Sequence, residues 1–445
     1  MRLTEMQRNS LYTSKEDLQM KLLVVGGGGR EHAIIKKLKE NPSVETIYAL
    51  PGNGGIAQDA VCVPEIGAKD IPAIVEFAMA NAIDFAVVAP DDPLALGCVD
   101  RLHEAGIPCF GPNAAAARIE ASKVFSKNLM KKHGIPTAKY EVFSDPAKAL
   151  EYLKNQSFPI VIKADGLALG KGVLIPTNYA EAEAAIKSIM EDKAFGDSGN
   201  EVVIEEFLTG PEVSVLAFTD GVAIAPMVSS MDHKRAGDND TGLNTGGMGT
   251  VAPNPYYTQD VAAACMEQIF LPTLAAMREE GCPFKGCLYF GLMVTENGPK
   301  VIEYNCRFGD PETQVVLPLL KTDLLTIMQA VEEERLDEID VEWKDESAAC
   351  VILASGGYPG SYAKGKEMTF PAAYPENVTV YHAGSALKEG KLVTAGGRVL
   401  GVTATAKTLK EALASAYAAC DTIHFDGMMK RSDIGRRALA AMEEA

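Results

Sequence analysis

The stretch KLLVVGGGGREHAIIKKLKE, residues 21–40, constrains the fold more than any other part of the chain. An unbroken apolar strand runs into four glycines and then into a helix with apolar Ala33, Ile34, Ile35 and Leu38. A strand without polar alternation must be covered on both faces, the condition of a parallel sheet flanked by helices. Strand signals recur at TIYAL (46–50) and FAVVAP (85–90), with helical IPAIVEFAMANA (71–82) between them. This alternation predicts a doubly wound α/β domain over 21–121.

A glycine turn after the first strand raises the question of a dinucleotide. Gly26 and Gly28 match the first two glycines of G-x-G-x-x-G, but Glu31 stands at the third. The second strand ends in Pro51 and Gly52 where an acidic residue is wanted, so a nicotinamide cofactor is disfavoured. A phosphate or small substrate at the same helix N-terminus remains, with Gly28, Gly29, Arg30 and Glu31 as candidates.

From Ala121 the texture changes to ASKVFSKNLMKKHGIPTAKYEVF, a basic helix closed by His133 and Gly134 with Pro136 beyond. Strand, turn and helix signals between about 137 and 211 form a compact α+β unit. A second shift follows the acidic helix ending near 340, leaving 341–445 as a small α+β unit. Three units agree with 445 residues at roughly 150 per domain. Residues 1–20 lack the apolar core of a secretory signal, and Glu5, Glu16 and Asp17 argue against a transit peptide. They are expected to be a disordered extension.

A net charge of -18 leaves no broad basic face for sequence-independent binding of nucleic acid. No apolar run approaches the roughly 18 residues of a membrane span. The nine cysteines contain no CxxC pair, the pattern of a reduced, cytoplasmic protein without a zinc site. Partners are therefore expected to be small molecules.

VIKADGLALGKG (161–172) puts Lys163 at a strand end and Lys171 between Gly170 and Gly172, a place where backbone N–H groups and ammoniums close on a polyphosphate. The spacing fails the Walker A pattern. In VIEYNCRFGDPETQ (301–314), Glu303 and Asn305 are two apart on a strand and leave the same face, with Ile302 and Tyr304 on the other. Two adjacent hard oxygen ligands suit magnesium, which fills its octahedron with water and substrate phosphates. Arg307 and Asp310 follow in the next turn. IEEFLTGPE (204–212) offers a strand backbone to an adenine edge and Glu212 to a ribose hydroxyl. The ribbon HKRAGDNDTGLNTGGMGT (233–250) holds five glycines, a basic triplet and almost nothing to bury.

Together, ASKVF, VIKADGLALGKG, VIEEFLTGPE, the ribbon from Asp232 and VIEYNCRFGDPETQ resemble the ATP-grasp ligases, and among them the phosphoribosylamine–glycine ligase family of purine biosynthesis. The resemblance runs from Leu22 to Leu439. It implies an ATP-grasp core over 122–340, whose 137–211 lobe closes as a lid, and a ligation joining glycine to 5-phosphoribosylamine with release of ADP and phosphate. It implies that Lys123, Lys163, Gly170, Lys171 and Gly172 meet the ATP phosphates. Glu205, Glu206 and Leu208 would face adenine, Glu212 the ribose, and Glu303 and Asn305 a magnesium or manganese ion. Arg307, Lys163 and Asp310 are the implied catalytic residues. Substrate contacts fall to Gly28, Gly29, Arg30, Glu31, Asp91, Asp232, His233, Lys234, Arg235, Asn244, Gly246, Gly247 and Arg307, the ribbon wrapping the amine and glycine.

The chain departs from the family at APDDPL (89–94), where Asp91 replaces a longer acid, and at Leu169 and Leu243. GGGGRE and PGNGG both stay open as holders of the sugar phosphate. Other readings are a carboxylate–amine ligase acting on a different intermediate and a nucleotide sensor without catalysis. Intact Glu303, Asn305, Lys163 and Arg307 argue against the sensor.

Overall fold

The computed structural model describes residues 19–167 and 172–444. Most of the N-terminal extension, and Gly170 and Lys171 of the glycine turn, lie outside the described residues. The opening segment folds as β1 (Met20–Gly26) and α1 (Gly29–Leu38), followed by β2 (Val44–Pro51), β3 (Val61–Cys62), β4 (Phe85–Val88) and β5 (Cys109–Phe110). All pairings are parallel, in the order β3-β2-β1-β4-β5. Leu22 to Val25 are fully buried because helices cover both faces. Connections leave β1 and β4 in opposite directions, which opens a crevice at their carboxyl ends.

Helix α2 (Lys123–His133) leads to a lobe of four antiparallel strands, β6 (Tyr140–Phe143), β7 (Ile160–Ala164), β8 (Val173–Leu174) and β9 (Val202–Glu206), in the order β6-β9-β7-β8. Ile160, Ile162, Val202 and Ile204 pack with Leu153 and Ile186 in a core separate from the others. A lobe with its own core can shift as one body.

Next come β10 (Glu212–Thr219), β11 (Ile224–Pro226), and four short strands: β12 (Met231–Asp232), β13 (Arg235–Gly237), β14 (Thr241–Asn244) and β15 (Gly249–Ala252). A continuous helix, α3 (Gln259–Glu279), precedes the hairpin of β16 (Gly286–Thr295) and β17 (Gly298–Asn305). Helix α3 is 21 residues long with mean hydropathy 1.2, the one described helix long and apolar enough to cross a membrane. Here it is a core helix: Cys265, Ile269, Phe270, Leu274 and Met277 are buried.

Strands β11-β10-β16-β17 form an antiparallel sheet. Opposite β17, Gly291 faces Glu303 while Leu292 faces Val301, so Ile302 is an extra residue. This bulge corrects the expected alternation. Val301 and Tyr304 carry the buried side, and Ile302 joins Glu303 and Asn305 on the wall of a cleft.

The remaining chain supplies β18 (Ser347–Ser355), β19 (Val378–His382), the hairpin β20 (Ser385–Lys388) and β21 (Lys391–Thr394), β22 (Arg398–Ala406), α4 (Leu409–Cys420) and β23 (Met428–Met429). Its sheet runs β12-β15-β18-β22-β19, with β23 beside β18. Strands β12 and β15 come from before residue 340. The composition shift there is therefore not a clean structural break.

Candidate active site

A cleft of about 470 Å³ lies between the 137–211 lobe, the β10–β17 sheet and the carboxyl ends of β1 and β4, where Arg30 and Asp91 line it. On the side of α2 and the 137–211 lobe, Ser122 Oγ caps α2 by accepting from Phe125 N at 3.0 Å, and Asp165 accepts from Val124 N at 3.1 Å. That anchoring sets Lys123 at the cleft wall, its Nζ donating to Gly166 O at 2.8 Å. Burial lowers the Lys123 pKa, only partly offset by the Glu303 carboxylate. An arriving anion would restore the ammonium.

Lys163 Nζ donates to Ile302 O at 3.0 Å and lies 2.9 Å from Glu205 Oε1. Lys127 meets the other oxygen of Glu205 at 2.9 Å and donates to Thr137 Oγ1 at 2.8 Å. Glu205 thus differs from expectation. Its backbone is paired on both sides inside the lobe sheet, and its buried carboxylate holds two lysines. Leu208, Gly172 and Glu212 also line the cleft, as does Glu206, whose N donates to Lys139 O at 2.9 Å and whose Oε1 accepts from Lys139 N at 3.0 Å.

Glu303 sits on the opposite wall. Burial alone would raise its pKa, but Lys234, Lys163, Lys123 and Arg307 outweigh burial and hold the carboxyl below its ordinary value. Its carboxylate engages in no hydrogen bond or ion pair among the described residues. Asn305 Oδ1 accepts from Arg307 Nη2 at 3.3 Å. An ionised, unpaired carboxylate next to an amide oxygen suits a hard divalent cation. No group of three or more His, Cys, Asp or Glu among the described residues could hold a metal by itself. Two protein oxygens plus substrate phosphates fit that composition.

Arg307 is fixed by Glu120, whose Oε1 accepts from Nη2 at 2.9 Å while Oε2 accepts from Cys306 N at 2.7 Å. Its buried Nε stays without a partner among the described residues. Burial would raise the Asp310 pKa, but Arg398 and Arg30 lower it, and Gln314 Nε2 donates to Oδ1 at 2.7 Å. Arg398 also donates to Gly246 O and to Asp310 O, both at 2.7 Å. Asp232 Oδ1 accepts from His233 N at 2.7 Å, and Lys234 Nζ lies 3.4 Å from Oδ2. Cations and acids therefore alternate from Lys123 to the ribbon.

Three family models of phosphoribosylglycinamide synthetase match the chain in tandem: the N domain over 20–120, the ATP-grasp (A) domain over 121–313 and the C domain over 348–437. The chain belongs to the phosphoribosylglycinamide synthetase family. A phosphoribosylamine–glycine ligase from Caldanaerobacter subterraneus is 48% identical over 93% of this chain and 99% of its own length. A bifunctional purine biosynthetic protein of Pichia angusta is 50% identical over 94% of this chain, which spans only 54% of that protein. What the rest of that protein does stays with it. The crystal structure of phosphoribosylamine–glycine ligase from Thermotoga maritima covers 93% of this chain and is itself covered completely, at 36% identity and a TM-score of 0.83.

Within this phosphoribosylglycinamide synthetase chain, the ribbon departs most from expectation. Asp232, Lys234, Asn244 and Gly246 line the cleft. Arg235 does not: it ties β13 to β14 by donating to Gly242 O at 2.8 Å. The tip turns away and binds the C-terminal unit, where Ser432 N donates to Asp238 and Arg431 Nη1 to Asp240 at 2.8 and 2.9 Å. Gly247 lies at φ 115°, and a Cβ there would stand 2.5 Å from Pro311 Cδ. Its role is close packing against the 310–312 turn.

His233 is likewise corrected from a substrate contact to a buried tie. Nδ1 donates to Gly249 O at 3.1 Å, and Nε2 accepts from Gly435 N at 3.1 Å. Burial is the first cause lowering its pKa, to about 4. The unfolded chain takes up a proton near pH 6.5, whereas the folded chain resists until about pH 4. Its contribution is complete above pH 6.5 and shrinks as pH falls toward 4. At pH 5 about 2 kcal/mol is expected to be gone. Urea unfolding of wild type and His233→Gln at pH 7.5 and 5 checks this: the gap between them should narrow by that amount, and a constant gap would refute it.

The two glycine turns also resolve into one place. Gly52 N donates to Gly26 O at 3.1 Å, Asn53 Nδ2 donates to Gly27 O at 2.9 Å, and a Cβ on Gly27 would reach within 2.4 Å of Gly52 O. Of the four candidates at α1, only Arg30 lines the cleft. Glu31 Oε2 accepts from Gly28 N at 2.6 Å, so its carboxylate caps its own helix. Gly28 and Gly29 pack beside Asp310.

Sequence reasoning missed Glu120, Lys127, Tyr289, Glu312 and Arg398, all of which line the cleft. Glu120 and Glu312 stood inside or next to quoted motifs. Tyr289 and Arg398 sit on strands with no local chemical signal, and only the topology brings them in.

Proposed function

We infer that this chain ligates glycine to 5-phosphoribosylamine at the expense of ATP, forming glycinamide ribonucleotide, ADP and phosphate in purine biosynthesis. The observation that carries this reading is the unpaired Glu303 carboxylate, kept ionised by four surrounding cations in a cleft that also reaches Arg30 and Asp91. Lys123 and Lys163 bind phosphates, the Leu208 backbone faces adenine, and Glu212 holds the ribose. Glu303 and Asn305 would hold a magnesium or manganese ion, which when bound neutralises phosphate oxygens.

A glycine carboxylate is a poor electrophile, so its oxygen first attacks the γ-phosphorus and ADP leaves. The sugar amine then attacks the carbonyl carbon of glycyl phosphate, and inorganic phosphate leaves. Arg307, with a guanidinium fixed by Glu120 and one N–H still unused, steadies the oxyanion. Asp310 and Arg398 brace the turn beside it. The separately packed 137–211 lobe closes over the nucleotide and keeps water from the acyl phosphate.

A division at about 121 and 340 and a cytoplasmic setting belong to the same proposal; nine free cysteines accord with a reducing compartment. The test is ADP release with glycine and freshly made phosphoribosylamine, each omitted in turn. ADP release should need glycine, and glycinamide ribonucleotide should need both. Unchanged ADP release without glycine would sink the reading.

A further inference from the structure

We propose that Glu312 is the base that removes the proton from the attacking sugar amine. The inference rests on the ligation above and adds a residue to its second half. When the amine nitrogen bonds to the carbonyl carbon, the C–O bond to phosphate breaks and phosphate leaves with that electron pair. The nitrogen then carries one proton too many for an amide. That proton needs an acceptor within the closed cleft.

Most acids of the cleft interior are already engaged. Glu205 bridges two lysines, and Glu120 holds Arg307 and Cys306 N. Asp310 is bound by Gln314 and Arg398, and Asp232 by His233 N and Lys234. Glu303 faces the phosphate side. Glu312 differs: it is 4% exposed, lines the cleft, and meets no cation within ion-pair distance among the described residues. Tyr289 Oη donates to its Oε1 at 3.1 Å and lies 2.7 Å from Ser214 Oγ. That chain orients the carboxylate without neutralising it.

The charged and titratable groups facing Glu312 are Asp232 on β12, Lys234 just after it, Tyr289 on β16, Arg307 after β17 and Arg398 on β22. Burial, and then the Asp232 charge, raise the Glu312 pKa to about 7, while Lys234 and Arg307 pull it down. A group with that pKa accepts a proton readily and returns it to phosphate or water. Burial raises the Asp232 pKa as well, against the pull of Lys234 and Arg398, so the two neighbouring carboxyls titrate as a pair, each charge raising the other's affinity for a proton.

The experiment separates the two half-reactions. Hydroxylamine traps glycyl phosphate without a protein base, so glycine hydroxamate reports activation and glycinamide ribonucleotide reports ligation. In Glu312→Gln, ligation is expected to fall at least about 100-fold, while hydroxamate forms within about threefold of wild type. Equal loss of both products would place Glu312 in activation, and ligation retained within threefold would give the proton to another group; either overturns the proposal. Absence of ligation in wild type would instead refute the ligase reading itself. If Glu312→Gln fails to fold, Tyr289→Phe decides: losing the hydroxyl donor should move the acid limb of the ligation profile upward by roughly half a pH unit, and an unmoved limb refutes the role.

Discussion

Replacing Glu303 by alanine is expected to lower glycine-dependent ADP release by about a thousandfold or more, the scale of losing a charge-stabilising group in phosphoryl transfer. Folding should survive, because no hydrogen bond or ion pair among the described residues uses this carboxylate. The decisive readout is nucleotide binding. With the carboxylate gone, Lys123, Lys163, Lys234 and Arg307 face the cleft with one negative charge fewer. Calorimetric titration in magnesium should show weaker ATP binding than wild type. In chelator, binding should be equal or tighter. Weaker binding in both conditions would mean that Glu303 shapes the cleft rather than holding a cation.

The second large effect is on stability. Arg431 is 2% exposed and is held by Asp433 at 2.7 and 2.8 Å, by Asp240 at 2.9 Å and by Arg235 O at 3.1 Å. Arg431→Ala removes a buried guanidinium shared by Asp433 and Asp240, leaving Asp433 with Asn239 N at 2.8 Å and the more distant Arg436, a loss of about 3 kcal/mol. Arg431→Lys should recover little, since an ammonium cannot match the two-pronged contact. Denaturant unfolding measures the loss. A second effect should follow in kinetics: once the ribbon tip is freed, KM for the sugar amine should rise more than KM for ATP. Equal changes in the two would separate the tip from the amine site.

Local pattern carried the N-terminal sheet, because a strand apolar at every position and a glycine turn leave few alternatives. It also carried Glu303 and Asn305, neighbours on one strand. It failed where distance in sequence matters. The polarity of 233–250 looked like substrate chemistry, yet much of it satisfies residues 431–437, almost two hundred positions away. His233 looked basic and is held neutral by burial. The bulge at Ile302 is a matter of register between two strands, invisible in either alone. Arg398 gained meaning only when β22 was placed beside β18 and its guanidinium reached the 246–247 and 310 carbonyls.

That last placement bears on how such an enzyme can change over time. One guanidinium from the final quarter of the chain braces a wall assembled from earlier segments, and the ribbon is fastened at its far end to the same quarter. The final unit is therefore not an independent cassette in this chain: residues 233–247, 310 and 398, together with 431–437, work as a set. A chimaera that crosses over inside that set keeps the ribbon's clasp only where its donor supplies matching partners for Asp238, Asp240 and Gly246.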